Sequence, residues 1–175
     1  MHRTRIFLII IFLLFPVSFV YTDVGAEESG VRSPKRMVGA YMGQIGIDDD
    51  LEEPEIGGIE YRMLPFSKWD LIPTIGFFYK EGGASYTYID LRYDYWLSDE
   101  WILVPSYGAG YYDKDEEIDL GGDLEFKASL EFSRRFSNDY RLGLVIFHLS
   151  HGKLNGNDNP GTEAVALLLS IPLGD

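Results

Sequence analysis

The chain contains no cysteine. Disulfides, thiolate catalysis and cysteine-based zinc sites are therefore all excluded, and only oxygen and nitrogen chemistry remains. Positive charge is also scarce. Fifteen Lys and Arg stand against 28 Asp and Glu, a formal net charge of −13, so no basic surface is available for phosphate backbones and nucleic acid is not an expected partner. Histidine occurs three times, and only His148 and His151 lie beyond the N-terminal segment. These two have opposite parity on a strand, which argues against a His-based metal centre, and no metal or cofactor is expected. No sustained helical period is found either, so long helices are not expected.

What is present begins with an apolar run. Arg3 and Arg5 precede Ile6 to Val20, and Val24-Gly25-Ala26 supplies small residues suited to signal peptidase. Residues 1–26 thus read as a secretory signal peptide, leaving 27–175 as a single domain.

Eight strand-like segments follow: 37–45, 56–63, 71–79, 85–97, 101–112, 124–133, 140–150 and 163–173. All are rich in Tyr, Phe, Val, Ile and Gly. In the fourth, Ile89, Leu91, Tyr93 and Tyr95 alternate with Asp90, Arg92, Asp94 and Trp96. In the sixth, Phe126, Ala128, Leu130 and Phe132 alternate with Lys127, Ser129, Glu131 and Ser133. One face is apolar and the other carries charges of both signs. A soluble sandwich or barrel buries the apolar face; an outer-membrane barrel turns it to lipid and encloses the charges.

The connections bear on that choice. Asp48 to Glu55, Asp113 to Asp123 and His151 to Thr162 are long, and they alternate with shorter links, apart from a brief Glu81-Gly82-Gly83 loop. Long outer loops and short periplasmic turns give this pattern. Aromatics add to it: Trp69, Tyr93, Tyr95, Trp96 and Trp101 lie near the short turns, and Tyr79, Tyr86, Tyr88, Tyr107, Tyr111 and Tyr112 near the long loops, as two interfacial belts would require. The expected fold is all-β, an eight-stranded antiparallel up-and-down outer-membrane barrel, too narrow to serve as a pore. The acidic clusters fall in loops and read as solvated. Asp113-Lys114-Asp115 lacks the glycine and glutamate spacing of an EF-hand.

Chemistry gathers in the last two strands. Alternation puts Leu142, Leu144, Ile146, His148 and Ser150 on one face, and Glu163, Val165, Leu167, Leu169, Ile171 and Leu173 on one face of the next strand. Paired as a hairpin, the strands bring His148 and Ser150 level with Glu163, so a base, a nucleophile and an orienting acid come together. A histidine and a serine at a strand end are equally at home as plain interfacial residues, and spacing alone does not decide.

Phe147-His148-Leu149-Ser150, followed by Asn159-Pro160-Gly161-Thr162-Glu163 and an apolar closing strand, resembles the lipid A 3-O-deacylases, the PagL-like outer-membrane esterases. Their signature is a His-x-Ser-Asn run followed by Asn-x-Gly-x-Glu. The resemblance implies a serine esterase that removes the 3-position ester-linked acyl chain of lipid A. It implies His148 as base, Ser150 as nucleophile and Glu163 as acid, with lipopolysaccharide and the outer membrane as partners. The asparagine after the serine is His151 here, so an imidazole N–H would replace an amide donor to the oxyanion; Gly152 and Asn159 complete the expected oxyanion and substrate-binding set. Two alternatives stay open: a non-catalytic eight-stranded outer-membrane barrel, structural or adhesive, and a soluble periplasmic lipid-binding barrel with its apolar faces inward. A homodimer through the lipid-facing surface is left open too.

Overall fold

A computed structural model describes residues 34–47, 54–66, 68–116, 118–152, 154 and 161–174. The expected signal peptide and Asn159 lie outside the described residues. Nine strand segments and no helix are found among these residues: β1 (Met37–Ile45), β2 (Glu55–Arg62), β3 (Ile72–Lys80), β4 (Ser85–Arg92), β5 (Tyr95–Trp96), β6 (Trp101–Asp113), β7 (Leu124–Arg135), β8 (Arg141–Ser150) and β9 (Thr162–Pro172). Every pairing is antiparallel, each strand pairs with its sequence neighbour except that β4 and β5 do not pair with each other, β9 pairs with β1, and β4 pairs with β6. The sheet therefore closes.

β4 and β5 are one stave. Both pair with β6 in a common register, Arg92 opposite Ser106 and Tyr95 opposite Leu103. The ladder is interrupted beside Pro105, which has no N–H to donate and accepts from Tyr93 N instead. Eight staves result, as alternation and turn spacing predict.

Alternation decides which way each side chain points. Asp90, Arg92, Lys127, Ser129, Glu131 and Ser133 are buried inside the barrel, while Ile89, Leu91, Leu130 and Phe132 are exposed on its outer wall. The same holds around the ring, where Ile59, Ile75, Phe77, Leu144, Ile146, Leu167 and Leu169 are exposed. A water-soluble protein does not present so continuous an apolar belt; lipid is its natural solvent. The soluble barrel with inward apolar faces is thereby overturned, because the interior holds charges.

Those charges close the lumen. Arg92 Nη2 reaches Glu60 at 2.6 Å, Arg62 Nη2 reaches Glu131 at 2.7 Å, and Lys127 Nζ reaches Asp90 at 2.8 Å. Tyr88 donates to Glu60, and Lys127 lies 4.1 Å from the centre of the Tyr88 ring. Room for such rings comes from missing side chains: a Cβ on Gly58 would strike the ring of Tyr41, and one on Gly76 that of Tyr88.

One expectation about the aromatics needs correction. Tyr86, Tyr88 and Tyr112 are buried in the interior, because Tyr86 and Tyr88 share parity with Asp90 and Arg92 on β4 and Tyr112 stands opposite Tyr86; only Tyr79, Tyr107 and Tyr111 face outward near the long loops. At the opposite end, Trp69, Tyr93, Tyr95 and Trp101 are exposed, and Trp101 stacks on Phe132. The belt at the short turns is thus the fuller one.

That end has a local electrostatic clasp. Asp139, in the turn between β7 and β8, takes a left-handed φ of 65° and pairs with Lys35 at 3.0 Å and Arg135 at 2.6 Å. Hydrogen bonding from Lys35, then from Arg135, holds its carboxyl below the usual range. A depressed folded-state pKa means that the contribution is present above the unfolded carboxylate pKa and is lost as pH falls through the folded value. Asp139→Asn, which tolerates the same φ, is expected to cost at most about 1 kcal/mol near neutral pH, given the exposure of the pair. The difference from wild type should vanish in acid, as read from urea unfolding in micelles at the two pH values.

Candidate active site

The start of β1, the end of β9 and the turns that join β2 to β3, β5 to β6 and β7 to β8 lie at one end of the barrel. β1, β3 and β6 end, and β2, β4 and β7 begin, at the other. β8 ends and β9 begins at this second end. Their register sets His148 directly opposite Glu163 and continues down the wall through Ile146 opposite Val165 and Leu144 opposite Leu167.

The two opposed polar side chains meet. His148 Nδ1 is 2.9 Å from Glu163 Oε1, with the side chains 40% and 45% exposed on the outer wall. A carboxylate at Nδ1 fixes the tautomer in which Nδ1–H donates and Nε2 keeps its lone pair. Ser150 stands two residues along the same outward face, half-buried, opposite Phe126 of β7. No hydrogen bond joins it to His148 in this structure.

Gly161 supports the imidazole from below. Its φ is 61°, and a Cβ there would lie 2.7 Å from His148 Cε1 and 3.2 Å from Nε2. Sequence reading carried this glycine only as a member of the Asn-x-Gly-x-Glu signature, with no role of its own. The signal that could have found it is its place two residues before Glu163, level with the end of the facing strand.

His151 is placed differently from Ser150. Parity turns its ring into the barrel, where it is 1% exposed and lies under Gly121 of the 114–123 connection. Gly152 is exposed with a φ of 58°, and a Cβ on it would touch the Phe126 ring. The outward neighbours on β7 are apolar: Ala128 opposite His148, and Phe126, which stacks on Tyr107. Sequence reading missed these flanking residues because inter-strand register is not written in the pattern.

The 114–123 connection folds back over the barrel mouth. Ile118 and Leu120 are buried in the same cluster as Ile45, Phe78 and Phe147. Asp115 anchors the fold-back, accepting from Ile118 N and Ala84 N and pairing with the buried Lys80 at 2.6 Å. Part of this acidic stretch is therefore built into the cap rather than solvated.

Beside the hairpin, an open groove of about 690 Å³ crosses the outer wall, lined by Met42, Gly57, Tyr79, Leu144, Val165 and Leu167, with Glu55 and Glu81 also bordering it. Gly57 has open space where a side chain would stand. No cluster of three or more metal-ligating side chains occurs among the described residues.

Several known proteins share this architecture. A crystal structure of the outer membrane enzyme PagL superposes with a TM-score of 0.66 at 19% identity, covering 78% of this chain and 99% of the other. Two designed proteins follow: one from the de novo design of transmembrane β-barrels, with a TM-score of 0.58, 12% identity and coverage of 81% and 98%, and the designed barrel TMB2.3, with 0.53, 14%, 81% and 96%. At these identities the likeness establishes the fold. No curated protein matches the sequence. The family model for lipid A 3-O-deacylase (PagL) matches residues 50–172, most of the barrel, and the chain belongs to that family.

Proposed function

We propose that this protein is a serine esterase of the outer membrane that removes the 3-position ester-linked acyl chain from lipid A, with Ser150, His148 and Glu163 as its triad. The observation that carries the reading is the His148–Glu163 pair at 2.9 Å on the lipid-facing wall, with Ser150 on the same face. Polar groups at bilayer depth are costly and are retained for function. A substrate whose acyl chains stay in the membrane calls for a site on the outside of the barrel.

In this mechanism Glu163 holds Nδ1–H of His148, and Nε2 takes the Ser150 proton as the hydroxyl oxygen attacks the ester carbonyl. His148 then protonates the departing sugar oxygen. Water, activated by the same imidazole, releases the fatty acid from the acyl-serine. Catalytic hydrogen bonds often tighten only around the substrate, which accommodates the open Ser150–His148 contact. With the His151 ring turned inward, backbone N–H groups at the Ser150–Gly152 corner are the natural oxyanion donors, and Asn159 is a further candidate for substrate binding. The apolar groove past Val165 and Leu167 offers room for a departing acyl chain. The residues need no cofactor for this chemistry.

The test is mass spectrometry of lipid A from Gram-negative cells that express the chain. Loss of one hydroxyacyl mass, assigned by fragmentation to the 3-position, is expected. Unchanged lipid A, with the protein folded in the outer membrane, would favour a non-catalytic barrel. The same assay reads Gly161→Ala. A methyl 2.7 Å from Cε1 at a positive φ must displace the imidazole or the loop, and misplacement of about 1 Å costs up to ~10²-fold. A fall of at least tenfold in rate is expected, with the barrel intact.

A further inference from the structure

An ester that reaches Ser150 carries two substituents, an acyl chain and a sugar ring, and they leave the carbonyl in different directions. On one flank of the His148–Glu163 pair, past Val165 and Leu167, the wall offers an apolar groove. The other flank is built differently. Phe126 of β7 is the direct cross-strand neighbour of Ser150, so their Cβ atoms are about 5 Å apart and both side chains point outward. The Phe126 ring stacks on that of Tyr107 from β6, with centroids 6.1 Å apart and planes 10° from parallel.

Small residues surround this ring pair. Tyr107 stands opposite Ala128 and Phe126 opposite Ala109, so the two rings meet along the diagonal, in the room that two alanines leave. Gly152 lies where a Cβ would come 3.4 Å from the Phe126 ring, and a larger side chain there would cover the ring's edge. Lower on the same wall, Leu130, Leu144, Ile146 and Leu167 present large aliphatic side chains. The cross-strand neighbours of Phe126 are instead Ala109 and Ser150, with Ala128 next along its own face, and Tyr107 is 60% exposed. The result is a shallow aromatic shelf that ends at the nucleophile.

A sugar ring has a face of C–H groups and an edge of hydroxyls. Aromatic rings carry a negative face that attracts such C–H groups, and tyrosine, apolar in body and polar at its tip, suits the boundary between lipid and water. The depth agrees, because Ser150 is the last residue of β8, where the apolar wall meets the loops. A sugar oxygen bonded to the carbonyl that Ser150 attacks keeps its ring beside the reacting atoms, within reach of a cross-strand neighbour. We infer that Phe126 and Tyr107 form a sugar subsite, which holds the glucosamine ring of lipid A against the aromatic shelf while the acyl chain lies in the groove on the other flank. The proposal rests on Ser150 as nucleophile and specifies which part of the substrate meets β6 and β7.

The experiment uses the full chain in detergent micelles with two substrates: lipid A, and the ethyl ester of the same hydroxyacyl chain, which has no sugar. For Phe126→Leu, the ratio of kcat/KM for lipid A to that for the ethyl ester should fall about tenfold, chiefly through KM for lipid A. Phe126→Tyr, which keeps the ring, should restore most of the ratio, and Tyr107→Leu should lower it in the same direction. An unchanged ratio in folded variants, whether both esters slow equally or neither does, would overturn the subsite and leave the rings to the acyl chain or the lipid belt. If Phe126→Leu does not insert, Tyr107→Leu reads the same ratio. A second arm needs no turnover: Ser150→Ala with labelled Phe and Tyr is mixed with lipid A for NMR. Nuclear Overhauser contacts from the Phe126 and Tyr107 ring protons to the sugar C–H protons are expected; contacts to acyl methylenes alone would overturn the proposal. A wild type that hydrolyses neither ester would refute the esterase reading, while these contacts would still decide the subsite.

Discussion

Ser150→Ala is expected to leave a folded barrel that no longer deacylates lipid A, with the rate down on the order of 10³-fold or more. The hydroxyl is the only part of residue 150 that the proposed reaction consumes, and its removal should barely perturb the fold. Ser150 sits at the end of β8, half-buried, and its side chain makes no hydrogen bond that the barrel needs. Heat-modifiable mobility on gels checks that the variant is folded, and mass spectrometry of lipid A checks activity. A variant that still removes one hydroxyacyl chain would exclude Ser150 as nucleophile. The His148–Glu163 pair would then need another role, such as holding a lipid headgroup.

The largest expected effect on stability lies in the lumen. Arg92 has 3% of its side chain exposed and bonds Glu60, Asp90 and Glu131, at 2.6, 3.1 and 3.5 Å. With Arg62 and Lys127 it balances three carboxylates by three cations, all inside the barrel. Arg92→Met keeps much of the volume but leaves one carboxylate uncompensated where water is scarce, and breaking a buried ion pair in this way costs about 3–5 kcal/mol. Urea unfolding in micelles should show that loss as a lower midpoint, whereas Arg92→Lys, which keeps the charge without the planar fork, should lose less. A midpoint within error of wild type for Arg92→Met would mean that the network is water-filled and weakly coupled.

Both predictions reach residues that differ in how far the sequence exposed them. The strands were legible because period-two alternation of Ile89, Leu91 and Tyr93 against Asp90 and Arg92 admits no other regular structure. Observed strand bounds fall within two residues of those read from the pattern, except at the far end of the fourth segment, where the ladder stops beside Pro105. The interfacial belts were half legible: proximity to a loop was readable, but parity sent Tyr86, Tyr88 and Tyr112 inward. The site was legible as a motif, with His148 and Glu163 expected level and found opposite. The facing of His151 and the contact of Gly161 with the imidazole were not.

By itself, then, the sequence determined that these strands have one apolar and one charged face, that long and short links alternate, and that a histidine, a serine and a glutamate end up at one end of the last hairpin. Those are local consequences of a two-residue repeat and of chain order. It left open which face meets lipid, because alternation is symmetric under exchange of inside and outside. Only closure of the sheet decided that: a barrel of eight staves has a lumen just wide enough for side chains. Arg62, Arg92 and Lys127 find their carboxylate partners there, and the apolar stripe carrying His148, Ser150 and Glu163 is turned outward.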